Sequence, residues 1–333
     1  MSEYKGVLIC GEVTGGKLDS ISLELLGIGR KLADDLGQEL GAVLLGSGIG
    51  DAAKEAILFG ADKVYAVDDP LLKDYQTDSY TAVMEKVCKQ LLPDILLLGQ
   101  TAMGRDLAPR LAFRLGTGLT MDCIDLAIDP ETKLMVKTKP VYGGNALAVL
   151  VCAQTKPQMA TIRVKAMSPL ERNDSRMGEI ISIPAELDPA AIRTKVLDKV
   201  KEEVVGIRLE DAKVVVCGGR GIGGAEGFSQ LEELAKILGG AVGATRPPCD
   251  SGWVAAHLQV GLTGKIVTPD LYIGIGLSGS SQHVAGISGA KNIVAINKDP
   301  EANIFKVAHY GAVGDYKKVL PSFIKKCKEL LSG

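Results

Sequence analysis

The 333-residue sequence predicts an α/β protein of two domains. Three observations carry this. Short, nearly all-apolar runs alternate with amphipathic stretches through the first 116 residues, as parallel strands covered by helices on both faces require. A second series of the same kind opens at residue 212. Between them, 168–204 is rich in proline and charge and sustains no core pattern. Aromatics make up only 4% of the chain while glycine reaches 40 residues, a composition that suits aliphatic sheets and tight loops and argues against aromatic-rich barrels and sugar-binding surfaces.

The elements follow in order. VLIC at 7–10 reads as the first strand and 21–36 as an amphipathic helix. AVLLG at 42–46, a short helix near 51–59, KVYAV at 63–67, a helix near 79–91 and ILLLG at 95–99 continue the alternation, and RDLAPRLAFRLG at 105–116 is another helix. From 118 to 166 the β-branched segments MVKTKPVY, NALAVLVCA and MATIRVKAM suggest added mixed or antiparallel strands, a β extension on the first domain. A strand around 179–183 is compatible with the connecting segment, which otherwise reads as exposed. AKVVVCGG at 212–219 opens the second series. The helix within FSQLEELAKILGG follows, then the strands AVGATR, LYIGIG at 271–276 and NIVAIN at 292–297; IFKVAHYG brings in the last strand and DYKKVLPSFIKKCKELL the closing helix. The domains are therefore placed at 1–204, an amino-terminal parallel-sheet α/β domain with its connecting segment, and 205–333, a Rossmann-like carboxyl-terminal domain, with a hinge near 205–211.

Charge and cysteine usage narrow the function. The formal charge of -2 offers no clustered basic surface for nucleic acid. No apolar run approaches the roughly 20 residues of a membrane span, and the opening MSEYKGVLICGE lacks a signal-like core, so a cytoplasmic location is expected. The seven cysteines form no CxxC pair and the three histidines are scattered, so no metal site and no catalytic residue of the chain's own is expected. Cys10 and Cys217 sit in aliphatic contexts and read as small buried hydrophobes. There is no GxSxG elbow, no P-loop and no paired acidic motif for hydrolysis.

Gly219-Arg220-Gly221-Ile222-Gly223-Gly224 satisfies GxGxxG after a hydrophobic strand and before a helix, where backbone N–H groups can face a pyrophosphate. On this signal alone, a dinucleotide loop and a structural strand–helix turn both stand. The usual acidic companion is missing: the next strand is AVGATR, ending in Thr245 and Arg246. A guanidinium suits a phosphate or a negatively charged reduced ring and does not suit a neutral ribose diol. Leu277-Ser278-Gly279-Ser280-Ser281-Gln282-His283 follows LYIGIG, small hydroxylated residues that can wrap an anion. His283 could donate to a polar ring edge or make a structural hydrogen bond. With Gly261-Leu262-Thr263-Gly264-Lys265 upstream, several polar loops converge on one crevice of the sheet. Asn297 and Asp315 could meet adenosine hydroxyls or amides, or cap helices.

The stretch LYIGIGLSGSSQHVAGISGAKNIVAINKDPEANIFKVAHYG resembles the fingerprint region of the electron transfer flavoprotein alpha subunit, as do VGATRPPCDSGW, VGLTGKIV and GDYKKVLPSFIKK around it. GQTAMGRDLAPRLAFRLGTGLTMDC and PVYGGNALAVLVCAQTKPQMATIR extend the resemblance over the first domain. It implies a heterodimer with an electron transfer flavoprotein beta subunit, one FAD in the carboxyl-terminal domain, and a second FAD or an AMP in the beta subunit. It also implies electrons passing between NADH- or acyl-CoA-linked dehydrogenases and ferredoxin or a quinone reductase. By this resemblance Arg246 lies against the isoalloxazine and stabilises its reduced anionic forms, Thr263 donates near N5, and His283 sits by the pyrimidine carbonyl. Ser278, Ser280, Ser281 and Gln282 surround the phosphates and ribityl chain, and Asn297 and Asp315 bind toward the adenosine. With Gly221, Thr245, Gly264 and Gly279 these complete the expected cofactor-binding positions.

Three positions depart from the family pattern: Thr245 replaces a serine, Leu262 the glutamine of GQTG, and His309-Tyr310-Gly311 an AspTyrGly stretch. The last two imply altered flavin tuning or docking. The TRPP form points toward a bacterial, anaerobic type, some members of which bifurcate electrons from NADH between ferredoxin and an acyl-CoA dehydrogenase. The alternatives are a non-bifurcating carrier fed by acyl-CoA dehydrogenases, a structural or sensor subunit with a redox-silent flavin, and an NAD-dependent dehydrogenase, which AVGATR disfavours.

Overall fold

The computed structural model describes residues 4–144, 146–198 and 207–331. The chain divides into two compact units, Met1–Pro140 with Leu147–Val200, and Val141–Ala146 with Lys201–Gly333. Residues 199–206, which include the first two positions of the expected hinge, fall outside the described residues; Leu209 and Ala212 already belong to the core of the second unit.

The first unit runs β1 (Val7–Gly11), a small ribbon of β2 (Val13–Thr14) and β3 (Lys17–Leu18), α1 (Ser20–Leu36), β4 (Leu40–Gly46), α2 (Gly50–Leu58), β5 (Lys63–Asp68), α3 (Thr77–Leu91), β6 (Ile95–Gly99), α4 (Ala102–Leu115), β7 (Leu119–Cys123), β8 (Asp125–Ile128), β9 (Met135–Val141), β10 (Ala146–Leu150), β11 (Gln158–Ile162) and β12 (Glu179–Ser182). Seven strands form one sheet in the order β12-β5-β4-β1-β6-β11-β7, all pairs parallel. Val7 and Ile9 of β1 pack with α1 and α2, while Leu8 and Cys10 pack with α3 and α4. The period-2 alternation thus feeds two cores, and both faces are apolar. α1 and α4 end on Gly37 and Gly116 in the left-handed conformation, which releases the chain without a Cβ penalty.

The order reverses between β1 and β6, the position at which an open α/β sheet leaves a crevice. Glu12 and Thr101 stand there. Thr101 caps α4 by accepting from the Gly104 N–H at 3.0 Å and donates to Glu12 Oε1 at 2.5 Å. Burial pushes the Glu12 carboxyl up to about 7, against the Thr101 hydrogen bond that pulls it down.

Two expectations are corrected. The β extension over 118–166 is present as β8, β9 and β10, a separate three-stranded sheet, but it does not take in the whole segment: β7 and β11 belong to the main parallel sheet, with β11 between β6 and β7. The burial of all five β11 residues explains its place. The connecting segment is also less bare than its composition suggests. β12 pairs with β5, and Ile183 and Ala185 enter the core just beyond it.

The second unit runs β13 (Val214–Gly218), α5 (Phe228–Ile237), β14 (Ala241–Ala244), α6 (Arg246–Asp250), β15 (Leu271–Ile275), α7 (Ser281–Ala285), β16 (Asn292–Asn297), β17 (Tyr310–Val313) and α8 (Tyr316–Leu331). Its five strands are all parallel in the order β14-β13-β15-β16-β17. Val215 and Cys217 face one core with Tyr272, while Val216, Ile273 and Ile275 face α5 and α8. Two local expectations shift. AVGATR leaves the sheet at Ala244, so Arg246 opens a helix and does not end a strand. The last strand starts only at Tyr310, because Asn303–Lys306 is a tight 3-10 turn.

Candidate functional site

The strand order of the second unit reverses between β13 and β15, and the loops leaving their carboxyl ends build the site. Those loops are stitched together by backbone. Gly219 N–H donates to Ile275 O at 2.9 Å, Gly221 N–H to Gly276 O at 2.8 Å, and Gly276 N–H to Ile296 O at 2.8 Å. A Cβ on Gly219 or Gly221 would come within 2.4 or 2.7 Å of Gly276 O. The first two glycines of GxGxxG therefore serve the close approach of two loops. α5 begins only at Phe228, several residues later, so its N-terminus does not sit directly behind the loop.

Above this floor lies a cleft of about 1020 Å3, large for a single small-molecule site. Of the expected positions, Gly221, Thr245, Arg246, Thr263, Ser278, Gly279, Ser280, Gln282, His283 and Asn297 line it. Asp315 lines an adjoining cavity of about 230 Å3 that shares Gly221, Gly276, Asn297 and Lys298 with the first. Gly264 and Ser281 line neither. Gly264 makes the turn in which a Cβ would meet Gln259 O at 2.3 Å, and the Ser281 hydroxyl donates to Gln282 Oε1 at 3.3 Å.

Each lining side chain has a definite setting. Thr245 precedes α6, its N–H bound to Gly218 O at 2.9 Å. Arg246 is 68% exposed and its Nε donates to Asp250 Oδ2 at 3.1 Å, one turn along α6. The Thr263 hydroxyl accepts from Gln259 Nε2 at 2.9 Å, which leaves its own proton free. The Ser278 carbonyl accepts from Ile304 N–H at 3.0 Å, and Gly279 sits at φ +75° with its missing Cβ only 2.3 Å from Ile304 N. Within the chain the hydroxyls of Ser278 and Ser280 have no hydrogen-bond partner among the described residues. Asn297 spans two loops, donating from Nδ2 to Leu277 O at 2.8 Å and accepting Asp299 N–H at 3.1 Å. Asp315 caps α8, its Oδ1 taking the Lys317 N–H at 3.0 Å.

His283 differs from the expectation of a ring-edge donor. It is only 4% exposed, with Nδ1 3.0 Å from Val260 O and Nε2 2.7 Å from the Tyr272 hydroxyl. A carbonyl only accepts, so Nδ1 carries the proton and Tyr272 donates to Nε2. Burial lowers the imidazole to about 4, against the partial support of the Val260 bond. The neutral ring thus ties Val260, and with it the 261–265 loop, to β15. The Gln282 carbonyl accepts Leu262 N–H at 2.8 Å and ties the same loop to α7.

Sequence reasoning missed Arg220, Asp250, Gln259 and Lys298, which also line the cleft. Arg220 and Lys298 carried a usable signal, each standing directly beyond the carboxyl end of a strand in a polar loop. Gln259 and Asp250 act through Thr263 and Arg246 and have no motif of their own. Arg220, Arg246 and Lys298 face Asp250 and Asp299, which leaves the cleft cationic by one charge and rich in hydroxyl donors. Such a lining suits an elongated, phosphate-bearing ligand.

Comparison with known proteins gives a consistent result. Residues 7–188 match the electron transfer flavoprotein domain and residues 208–288 the electron transfer flavoprotein FAD-binding domain. The chain is 48% identical to the electron transfer flavoprotein subunit alpha of Thermoanaerobacterium thermosaccharolyticum, over 99% of this chain and 100% of that one. It is 45% identical to the Megasphaera elsdenii subunit alpha, over 99% and 98%. It is also 37% identical to the Acetobacterium woodii lactate dehydrogenase (NAD(+),ferredoxin) subunit LctC, over 97% of this chain and 77% of that one.

Proposed function

Because the chain belongs to the electron transfer flavoprotein alpha-subunit family, we propose that it holds one FAD in the cleft of its second unit and carries electrons as half of a heterodimer. The observation that carries the reading is the convergence of the β13, β14, β15 and β16 loops on one cleft with unpartnered hydroxyls. The residues fit the cofactor. Gly279 removes the side chain that would block the turn between Ser278 and Ser280, and those hydroxyls supply donors for a diphosphate. FAD supplies the ring that takes up and passes on electrons.

The chain's own residues bind and bias. Arg246 keeps its terminal nitrogens free of partners among the described residues, since only Nε engages Asp250, so its charge is available to a ring that becomes negative. Thr263, oriented by Gln259, offers its proton as a donor to a ring edge. Asn297, which lines both the cleft and the adjoining cavity, and Asp315, which lines the latter, take the adenosine end, and His283 acts by holding the loop that carries Thr263. The test is direct. Purified chain with its beta partner and added FAD should keep flavin absorbance after desalting, in a one-to-one mass by light scattering. A colourless desalted complex sinks the reading, and retention of FMN in place of FAD corrects the adenosine end.

Partnership with a beta subunit is supported by β10, an edge strand with Leu147 59%, Val149 64% and, just beyond it, Val151 55% exposed. The name of the Acetobacterium relative pairs NAD+ and ferredoxin with a dehydrogenase. That favours a bifurcating form, with NADH as donor, and ferredoxin and an acyl-CoA dehydrogenase or similar flavin dehydrogenase as acceptors. It predicts that the complex reduces ferredoxin with NADH only while the second acceptor turns over.

A further inference from the structure

The loop that carries Thr263 is closed at its base. Val260 and Lys265 pair across it, Gly261 N–H donates to Lys265 O at 3.0 Å, and Lys265 N–H donates to Gln259 O at 2.7 Å. Gln259 thus has two duties. Its carbonyl fastens the far end of the loop, and its Nε2 donates to the Thr263 hydroxyl at 2.9 Å. Lys265 does not itself line the cleft. Its ammonium forms a direct hydrogen-bonded ion pair with the Glu210 carboxylate, 55 residues earlier. Burial acts to raise the Glu210 carboxyl, and the hydrogen bond and charge of Lys265 outweigh it, so the acid is held below its ordinary range.

Glu210 stands in the segment by which the chain enters the second unit, within the stretch expected to be the hinge. Its neighbour Leu209 is buried beside the other end of the loop. A Cβ on Gly243 would meet Val260 Cγ2 at 2.7 Å and Leu209 Cδ2 at 3.2 Å, so those two side chains lie together over that bare residue. The entering segment therefore grips the loop at both ends, with Leu209 beside Val260 and Glu210 on Lys265.

We propose that Glu210 is a positioning residue for the cofactor: through Lys265 and Gln259 it sets where the Thr263 hydroxyl stands, so the entering segment biases the flavin. Every link in that path is a direct hydrogen bond. A donor already held in place stabilises a ring that gains negative charge better than one that must first be reoriented. The proposal rests on the reading that the cleft holds FAD, and two measurements separate the two claims.

The first uses the full chain without flavin. Hydrogen exchange of the Gly264 and Lys265 amides, corrected for intrinsic rates, should quicken at least about twofold in Glu210→Gln, the scale of a partly exposed ion pair. Lys265→Gln should do the same, and Glu210→Lys combined with Lys265→Glu should return the wild-type rate. The second uses the FAD-loaded complex, in which Glu210→Gln should lower the one-electron potential. The sign is decisive. Removing a negative charge would by itself raise the potential of a ring that becomes negative, so a fall reports lost positioning, and the charge swap should restore it. Unchanged exchange, a potential that rises or stays, or a swap that does not restore them overturns the proposal. A wild-type complex that keeps no flavin overturns the FAD reading, while the exchange rates still decide whether Glu210 holds the loop.

Discussion

Arg246 shows how much of a functional group's strength is decided by its nearest neighbour. Asp250, one turn along α6, already accepts its Nε, and the side chain is largely in solvent. A charge-assisted hydrogen bond of roughly 1.5–3 kcal/mol would correspond to about 65–130 mV at one electron. Competition from Asp250 and screening by water place Arg246→Ala at or below about 65 mV, as a fall in the one-electron potential of bound flavin. Asp250→Asn should shift that potential the other way, because it frees the guanidinium; reductive titration reads both. His283 gives the pH dependence. Its folded pKa of about 4 lies below its ordinary 6.5, so between those values the unfolded chain binds the extra proton and stability falls as pH falls. From pH 7 to pH 5 the second unit should lose about 2 kcal/mol on this account. The urea midpoint followed by Trp253, the single tryptophan, checks it at constant flavin loading, and His283→Gln should flatten the slope. The loop SGSSQH and the arginine after β14 were legible because their chemistry is written in consecutive residues. The fixed tautomer of His283 was not, since its partners Tyr272 and Val260 are brought to it by the fold.

Among the elements, the turn between β15 and α7 is the least forgiving. Gly279 combines φ +75° with a backbone nitrogen 2.3 Å from where a Cβ would stand, so Gly279→Ala must either flip the turn or push away the 303–306 segment. The left-handed penalty alone is about 1 kcal/mol, and the clash adds to it. We expect a loss of at least about 2 kcal/mol in the Trp253 transition together with loss of retained flavin. Gly223→Ala, with φ +90° and open space around it, should cost only the conformational part, about 1 kcal/mol, and keep the flavin. The all-buried strands β1, β4 and β6 were plain in the sequence, because a strand covered on both faces has no polar positions to blur it. β7, half-buried except at Cys123, and β12, mostly exposed, carry no such signal. β11 was recognised as a strand but misplaced, since nothing local says that it returns to pair between β6 and a strand nearly 40 residues earlier.

At the scale of the whole molecule the two units respond to pH in opposite senses. Glu12, raised to about 7 from an ordinary 4.5, is protonated in the folded first unit where the unfolded chain is already ionised, so that unit loses stability as pH rises from 4.5 through 7. Between pH 5 and pH 8 the loss is about 2.5 kcal/mol, and Glu12→Gln, which keeps an oxygen for Thr101 to donate to, should remove it. Hydrogen exchange of the β1 and β6 amides, corrected for intrinsic rates, reports this unit, as Trp253 reports the other. A single melting temperature would average two slopes of opposite sign and conceal both. The exposed edge of β10 reaches further, into how a cell must make the protein. On the heterodimer reading, a chain released with Leu147, Val149 and Leu150 bare on the open edge of β10, and Val151 bare just beyond it, would be open to self-association and to the proteases that clear unassembled subunits. If the proposed partner covers that edge, excess chain would be cleared and its supply matched to the partner's by turnover, so overexpressing this chain alone should raise aggregate and not carrier.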